Sequence, residues 1–330
     1  FPTRRSSDLR GGNITIIGNV GGVSGYAGVE FGQNNNSSVR TNIIGDVWGS
    51  AFAGSTGGGV GFYNGTNIIN GNLTGISSNP GNNSQAVYIQ GGQNTITGNL
   101  NGTAVGSEGI WFAGGCVTLG GNVSGVSQNA SGVAFTLNDP TLPNNVFFLT
   151  NSQSTTISGV SNTGVGVYIY ANATVNFTNS NNGNLVIQGV SNSAQGVVIS
   201  SNSSYLNSGP GNFTISGTTG ASTGSAIVLN GSQVTNFSST GSGTFSLLGL
   251  ATNTSAGANA SGILIASGNA SFLTGNTGNL NISGTSAGNR GVGVFLTGSQ
   301  NANFTANGSG FLAITGLASN ASLKIGRAHV

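Results

Sequence analysis

Carboxylates are the side chains of this sequence best suited to acid–base chemistry, and four of them lie between Arg10 and Leu323: Glu30, Asp46, Glu108 and Asp139. A polysaccharide lyase or hydrolase needs carboxylates close together, either for proton transfer or to hold calcium beside a basic residue. These four lie in different repeats of the chain. We therefore interpret them as solvated surface residues and predict no catalytic residues.

Metal and thiol chemistry have few candidates in this sequence. Cysteine and histidine occur once each, as Cys116 and His329. A structural zinc site takes about four such ligands, and calcium-binding nonapeptide repeats need a regular Asp that is missing here. Cys116 is predicted to be a buried thiol in a strand, with a reactive thiol as the alternative, and it has no partner for a disulfide within the chain. We expect no metal, no cofactor and no enzymatic activity.

The two ends of the chain differ from the rest. Residues 1–9 read FPTRRSSDL and residues 324–330 read KIGRAHV, and both resemble translated sequencing adapters. We interpret both as artefacts and residues 10–323 as a repeat domain from a longer protein. The ends hold four of the seven basic residues, which leaves three Arg against four acids and a net charge of −1. Nucleic acid is therefore not an expected partner, because phosphate binding needs clustered Lys and Arg.

Strands must position any functional side chain, because the composition disfavours helices. Only 4% of residues are charged, against about 25% in ordinary domains. The chain is nevertheless 36% hydrophobic, which argues against disorder. Its apolar residues form short Val-, Ile- and Phe-rich runs bounded by Gly, Asn and Ser, a pattern typical of strands and turns. No run is long enough to cross a membrane as a helix, so we expect no membrane insertion within this segment.

A four-residue template recurs through the sequence: a small residue, Val or Ile, any residue, then a large apolar residue. Its ten copies are residues 28–31, 59–62, 86–89, 109–112, 132–135, 166–169, 196–199, 226–229, 262–265 and 293–296. A Gly-Asn element precedes most copies, as in GNLTGIS from Gly71 and GNLNISG from Gly278, and a third strand such as 175–177 follows. Three strands in about thirty residues predict an all-β, single-stranded parallel β-helix (β-solenoid) of about ten coils, right-handed by the usual preference.

Side-chain alternation assigns a direction to each template position. The second and fourth positions would face inward and stack between coils, whereas the third would face outward. An antiparallel sandwich or barrel is the competing fold, but such folds do not repeat one template ten times. With coils about 4.8 Å apart, ten of them predict a rod of roughly 50 Å.

The outward third position is unusually apolar and suggests a contact surface. It includes Tyr88, Trp111 and Tyr168, and aromatic rings offer flat faces to sugars or proteins. We predict that these three form a contact ridge. The alternatives are that a loop covers them or that the alternation slips by one residue. Thr never occupies this position, which argues against a Thr ladder for ice binding.

The Gly-Asn elements, the Gly-Val-containing templates and the Asn/Ser/Thr-rich turns resemble bacterial surface β-solenoids over about residues 12–320. Autotransporter passengers and filamentous-haemagglutinin-like adhesins are the families concerned. The resemblance implies a secreted or cell-surface protein associated with the outer membrane.

That resemblance predicts a non-enzymatic adhesin or stalk segment. Glycans or host and bacterial surface proteins are its expected partners, and lateral self-association is a further expectation. The alternative is a polysaccharide-binding or polysaccharide-degrading β-helix whose active coils lie outside this segment. A structural surface-layer protein is a third reading.

Overall fold

The computed structural model describes residues 12–32, 39–52, 58–81, 84–137, 145–149, 154–230, 234–255, 258–266, 269–297 and 302–319. These residues form parallel strands and turns, and no helix occurs among them. The strands wind into a β-solenoid with three faces, which confirms the predicted fold class. The interpretation of residues 1–9 and 324–330 concerns positions outside the described residues.

We call the three faces the third face, the glycine face and the template face. The third face carries the strand that begins each coil, before the strands of the other two. It consists of β1 (Asn13–Ile17), β4 (Arg40–Ile44), β7 (Thr66–Asn70), β10 (Gln93–Ile96), β13 (Cys116–Leu119), β16 (Asn145–Leu149), β23 (Val234–Ser239), β26 (Asn269–Asn276) and β29 (Ala302–Gly308). The second halves of β18 (Val167–Asn179) and β20 (Val197–Asn207) belong to it as well, because these two strands run around a corner of the solenoid.

The glycine face carries the Gly-Asn elements in one 11-stranded sheet. Its strands are β2 (Val20–Ser24), β5 (Val47–Ala51), β8 (Leu73–Ser77), β11 (Leu100–Ala104), β14 (Val123–Ser127), β17 (Thr155–Ser161), β19 (Leu185–Ser191), β21 (Phe213–Thr219), β24 (Thr244–Ala251), β27 (Asn279–Ser286) and β30 (Leu312–Ala318).

The template face carries the ten template copies. Its strands are β3 (Val29–Phe31), β6 (Val60–Phe62), β9 (Val87–Ile89), β12 (Ile110–Phe112), β15 (Val133–Leu137), the first halves of β18 and β20, β22 (Ser225–Leu229), β25 (Ser261–Ile265) and β28 (Val294–Leu296). Each pairs in parallel with the equivalent strand of the next coil, so ten copies span about nine turns. Second, third and fourth template positions are in register throughout, as in Val29 with Val60 and Phe31 with Phe62.

The core of the solenoid consists of the inward columns. The second and fourth template positions are almost fully buried until the last copy, where Val294 is partly buried and Leu296 is exposed. Rings stack directly between coils, with centroids 4.7 Å apart for Phe31 and Phe62. Each coil thus covers the apolar surface of its neighbour, as expected for a solenoid.

A column of glycines brings the glycine face against the template face. It consists of Gly22, Gly49, Gly75, Gly102, Gly125, Gly159, Gly189, Gly217, Gly249, Gly284 and Gly316. A Cβ atom on Gly159 would overlap the carbonyl oxygen of Gly166, and the same overlap with the template's first residue recurs in the neighbouring coils. The two sheets therefore approach to backbone contact, which leaves no space for a side chain.

Asparagines form a ladder along the corner before the glycine face. The side-chain oxygen of Asn72 accepts the backbone N–H of Asn99 at 2.9 Å, and Asn99 in turn accepts that of Asn122 at 2.9 Å. Asp46 occupies the same position and accepts the N–H of Asn72 at 2.7 Å. The Asn of the Gly-Asn element therefore satisfies a backbone donor that the turn leaves unpaired.

Candidate functional site

The third template position faces outward, as the alternation predicts. The side chains of Tyr88, Trp111 and Tyr168 are each partly exposed, and the strand registers show no slip by one residue. Ala134 lies between the coils of Trp111 and Tyr168 and is buried. The column is therefore interrupted, and the three aromatic residues form two groups rather than one ridge. Their role in contact stays a prediction.

The first group is a wall of three touching rings. Tyr88 and Trp111 lie on adjacent coils with ring centroids 5.0 Å apart and planes tilted by 42°. Tyr63 meets Tyr88 edge-on, with centroids 5.8 Å apart. The indole N–H of Trp111 donates to the hydroxyl of Thr136 in the next coil. These contacts hold the rings in place beside one another.

A glycine makes room for the Tyr63 ring. Gly61 lies between Glu30 and Tyr88 in the outward column, and a Cβ atom there would be 3.1 Å from the Tyr63 ring. The ring lies close to this position, and its hydroxyl donates to Glu30 Oε1 at 3.2 Å. Burial, with the nearby Glu30 carboxylate second, raises the pKa of Tyr63. The phenol therefore stays protonated and remains a donor to Glu30 at neutral pH.

These groups line a cleft of about 230 Å³, which we call the aromatic cleft. It is lined by Ala27, Glu30, Gly58, Gly61, Tyr63, Gln85, Tyr88, Gln90 and Trp111. Among the described residues that line it, Glu30 is the one with a charged side chain. The aromatic cleft thus combines three aromatic side chains, two of which are phenols, with a carboxylate and two amides.

The second group lies two coils beyond Trp111, roughly 10 Å along the axis. Tyr168 and Tyr170 follow each other on the outer side of β18, with centroids 5.6 Å apart and planes within 11° of parallel. Tyr170 is 42% exposed. Burial, followed by the neighbouring Tyr170, raises the pKa of Tyr168. This pair is a flat ring surface without an adjacent described carboxylate.

The described carboxylates occupy separate positions. Asp46 is exposed and belongs to the asparagine ladder. Glu108 is partly buried and accepts hydrogen bonds from Ser107 at 2.7 Å and Gln85 at 3.3 Å. Three coils, roughly 14 Å, separate Glu30 from Glu108 along the axis. Within the described ranges no three His, Cys, Asp or Glu residues are grouped as a metal site would need.

Two further predictions have different outcomes. Cys116 is a free thiol at the first residue of β13, as predicted, but it is only partly buried. Asp139 and its Pro-flanked neighbours at 138–144 lie outside the described residues.

The residue after each template copy was not predicted to contribute to the outer surface. Tyr63, Gln90, Thr136 and Tyr170 all occupy this fifth position, and each lies beside the third-position column. A template extended by one residue would have predicted them, because side-chain alternation points the fifth position outward, like the third. No sequence pattern predicts that the Tyr63 ring lies over Gly61.

An outward aliphatic column on the glycine face was missed as well. Its exposed members include Val23, Ile76, Val126, Val160, Leu250 and Leu317. They are the sixth residues of elements such as GNLTGIS and follow the glycine column. They form an aliphatic strip that Ser50, Thr103, Thr218 and Thr285 interrupt in the intervening coils.

Comparison with known proteins identifies no relative: no family model, no curated protein and no solved structure matches the chain. Among the described residues, no helix is long and apolar enough to span a membrane. The function of the aromatic cleft must therefore be inferred from its geometry.

Proposed function

We propose that this chain is a segment of a non-enzymatic, secreted or cell-surface adhesin, in which the solenoid is a shaft and the aromatic cleft a contact surface. The observation that carries the proposal is the wall formed by Tyr63, Tyr88 and Trp111 on the outside of the template face. Large rings held in contact by their neighbours lose little conformational entropy on binding, which suits recognition.

The shaft role is supported by the repetitive architecture. About nine turns stack so that the template strands of all coils lie on the same side of the solenoid, and each coil is stabilised by its neighbours. The resemblance to bacterial surface β-solenoids supports an outer-membrane-associated location. Host or bacterial surface proteins and glycans are the proposed partners, and the aliphatic strip of the glycine face is a candidate for lateral self-association.

An adhesion assay tests this proposal. Beads coated with the chain should adhere to epithelial cells or bacterial cells, and Trp111→Ala should reduce adhesion at least fivefold. Trp48→Ala is the matched control, since Trp48 is 46% exposed on the glycine face, away from the aromatic cleft. Equal adhesion of the wild-type and Trp111→Ala beads would contradict the proposed contact surface.

The alternative function is binding to a polysaccharide by a β-helix whose active coils lie outside this segment. The carboxylate of Glu30 among aromatic rings favours it, because polysaccharide sites combine rings with hydrogen-bonding groups. Both functions use the same aromatic cleft. They differ in whether neighbouring coils carry stacked Asp, Lys and Arg, which sequencing of the complete reading frame would decide.

A further inference from the structure

We propose that the aromatic cleft is a binding site for one pyranose ring of a neutral or amino-sugar glycan. This inference rests on the proposed function, since it assigns a ligand class to the same contact surface. Three features carry it: the arrangement of the rings, the polar groups beside them, and the charge of the lining.

The rings form a wall rather than a cage. An aromatic cage for a quaternary ammonium ion places rings on several sides of the cation. Here Tyr88 lies between the other two rings, with its centroid 5.0 Å from that of Trp111 and 5.8 Å from that of Tyr63, so no group can enter between Tyr88 and either neighbour. The planes of Tyr88 and Trp111 are tilted by 42° and those of Tyr63 and Tyr88 by 75°, so the wall suits a ligand that stacks one flat apolar face on a single ring. The C–H side of a pyranose is such a face, because its weakly positive hydrogens complement the negative face of an aromatic ring.

Hydrogen-bonding groups lie where the edge of such a ring would be. Glu30 and Gln90 line the cleft beside the wall, and Tyr63 fixes Glu30 through its 3.2 Å hydrogen bond. A carboxylate and an amide can together accept from and donate to neighbouring hydroxyls. The volume of about 230 Å³ is below the 300–1,000 Å³ typical of drug-sized ligands, which favours a single sugar ring.

The charge of the lining selects among sugars. Of the lining residues that the structure describes, Glu30 alone is charged, and its carboxylate would repel a uronic or sialic acid. A protonated amino sugar would instead gain an ionic hydrogen bond, which is stronger than a neutral one. Neutral and amino sugars are therefore expected to bind, and acidic sugars are not.

Tryptophan fluorescence can test this site directly, because the chain has two tryptophans. In Trp48→Phe, Trp111 is the single reporter. Titration with cellotetraose and with a glucosamine tetramer should each give a saturable fluorescence change, and tetragalacturonic acid should give none. Tyr88→Ala in this background should weaken both affinities at least tenfold.

Two variants make the test specific. Glu30→Gln should weaken binding of the glucosamine tetramer about fivefold or more and change cellotetraose less, because only the former loses an ionic partner. Phe295→Ala is the matched control, since Phe295 occupies the same outward column at its far end and is 43% exposed. It should leave both affinities unchanged.

The outcomes separate this inference from the proposed function. Absence of a saturable change with both probes, or saturation with choline but not with the sugars, would overturn the glycan site. If adhesion of coated beads still depends on Trp111 in that case, the contact surface stands and its partner is a protein. If the sugars bind but adhesion does not depend on Trp111, the glycan site stands and the adhesin function is contradicted.

Discussion

The coils before and after β17 share one plan but differ in width. Strands of the glycine face have five residues from β2 to β14 and seven or eight from β17 to β30. Two additional residues add one inward position, because side chains alternate. Leu185, Phe213 and Phe245 occupy this position and are fully buried. The later coils therefore enclose a wider core.

Aromatic rings change place at the same boundary. In the narrow coils the interior rings lie at the fourth template position, as in Phe112 and Phe135. Phe135 meets Phe177 edge-on at 5.6 Å, and from there the interior stack continues on the third face through Tyr205, Phe237, Phe272 and Phe304. The outer rings Tyr63, Tyr88 and Trp111 belong to the narrow coils, whereas the outer pair Tyr168 and Tyr170 belongs to the first wide coil.

The difference between these regions predicts that the inner rings serve stability and the outer rings serve the proposed recognition. Rings inside the wide coils are buried and contact one another across coils, so their removal should cost stability. The outer wall of the narrow coils is only partly buried and should be replaceable without unfolding the chain. Substitutions of matched inner and outer rings test this division.

The largest effect is expected from Phe237→Ala. Phe237 is fully buried between Tyr205 and Phe272, with centroids 5.0 Å from each. Removing the ring should lower the free energy of unfolding by about 3–5 kcal/mol. Urea denaturation followed by circular dichroism measures this, and Phe295→Ala, which removes an exposed ring, should change it by less than about 0.5 kcal/mol. Similar losses in the two variants would refute the division.

A smaller loss is expected when the contact between the two faces is disturbed. Gly159→Ala places a Cβ atom against the Gly166 carbonyl oxygen and should destabilise the chain by about 1–3 kcal/mol through overpacking. Gly275→Ala is the control, because its nearest neighbour would be 3.5 Å away. It should be neutral or slightly stabilising, by up to about 1 kcal/mol. Thermal unfolding of both variants measures these changes in stability. An unchanged melting temperature for Gly159→Ala would show that the two faces can separate.

The smallest effect concerns the asparagine ladder. Asn99→Ala removes the acceptor for the N–H of Asn122 and should cost about 0.5–1.5 kcal/mol. Asn99→Asp keeps an acceptor oxygen, as Asp46 does at the equivalent corner, and should be near neutral. If the two variants unfold at the same urea concentration, the side-chain oxygen has no role in the ladder.

Much of this architecture follows from the sequence. The template fixed which residues pair, and Val29, Val60 and Val87 lie in one column as its alignment predicts. The alternation of side chains along a strand also predicted that Trp111 points outward. These features depend on local periodicity, which a single sequence contains.

The candidate site was predicted only in part. Tyr88 and Trp111 were identified, but the pairing of Tyr63 with Glu30 was not, because it joins residues of two coils across the space left by Gly61. The separation of Tyr168 from the other rings depends on Ala134 in the intervening coil. The widening at β17 was also missed, because Gly-Asn precedes the strand in both kinds of coil and only the distance from Asn to the column glycine differs, as in Asn72 to Gly75 and Asn184 to Gly189.

The most direct test of the central claim measures stability and adhesion together for one outer and one inner ring. Trp111→Ala should abolish most adhesion of coated beads and lower the free energy of unfolding by less than about 2 kcal/mol, because it removes one partly exposed ring and one hydrogen bond. Phe237→Ala, assayed at a temperature where it remains folded, should keep its adhesion and lose about 3–5 kcal/mol of stability. If adhesion and stability fall together in both variants, the division between inner and outer rings is wrong.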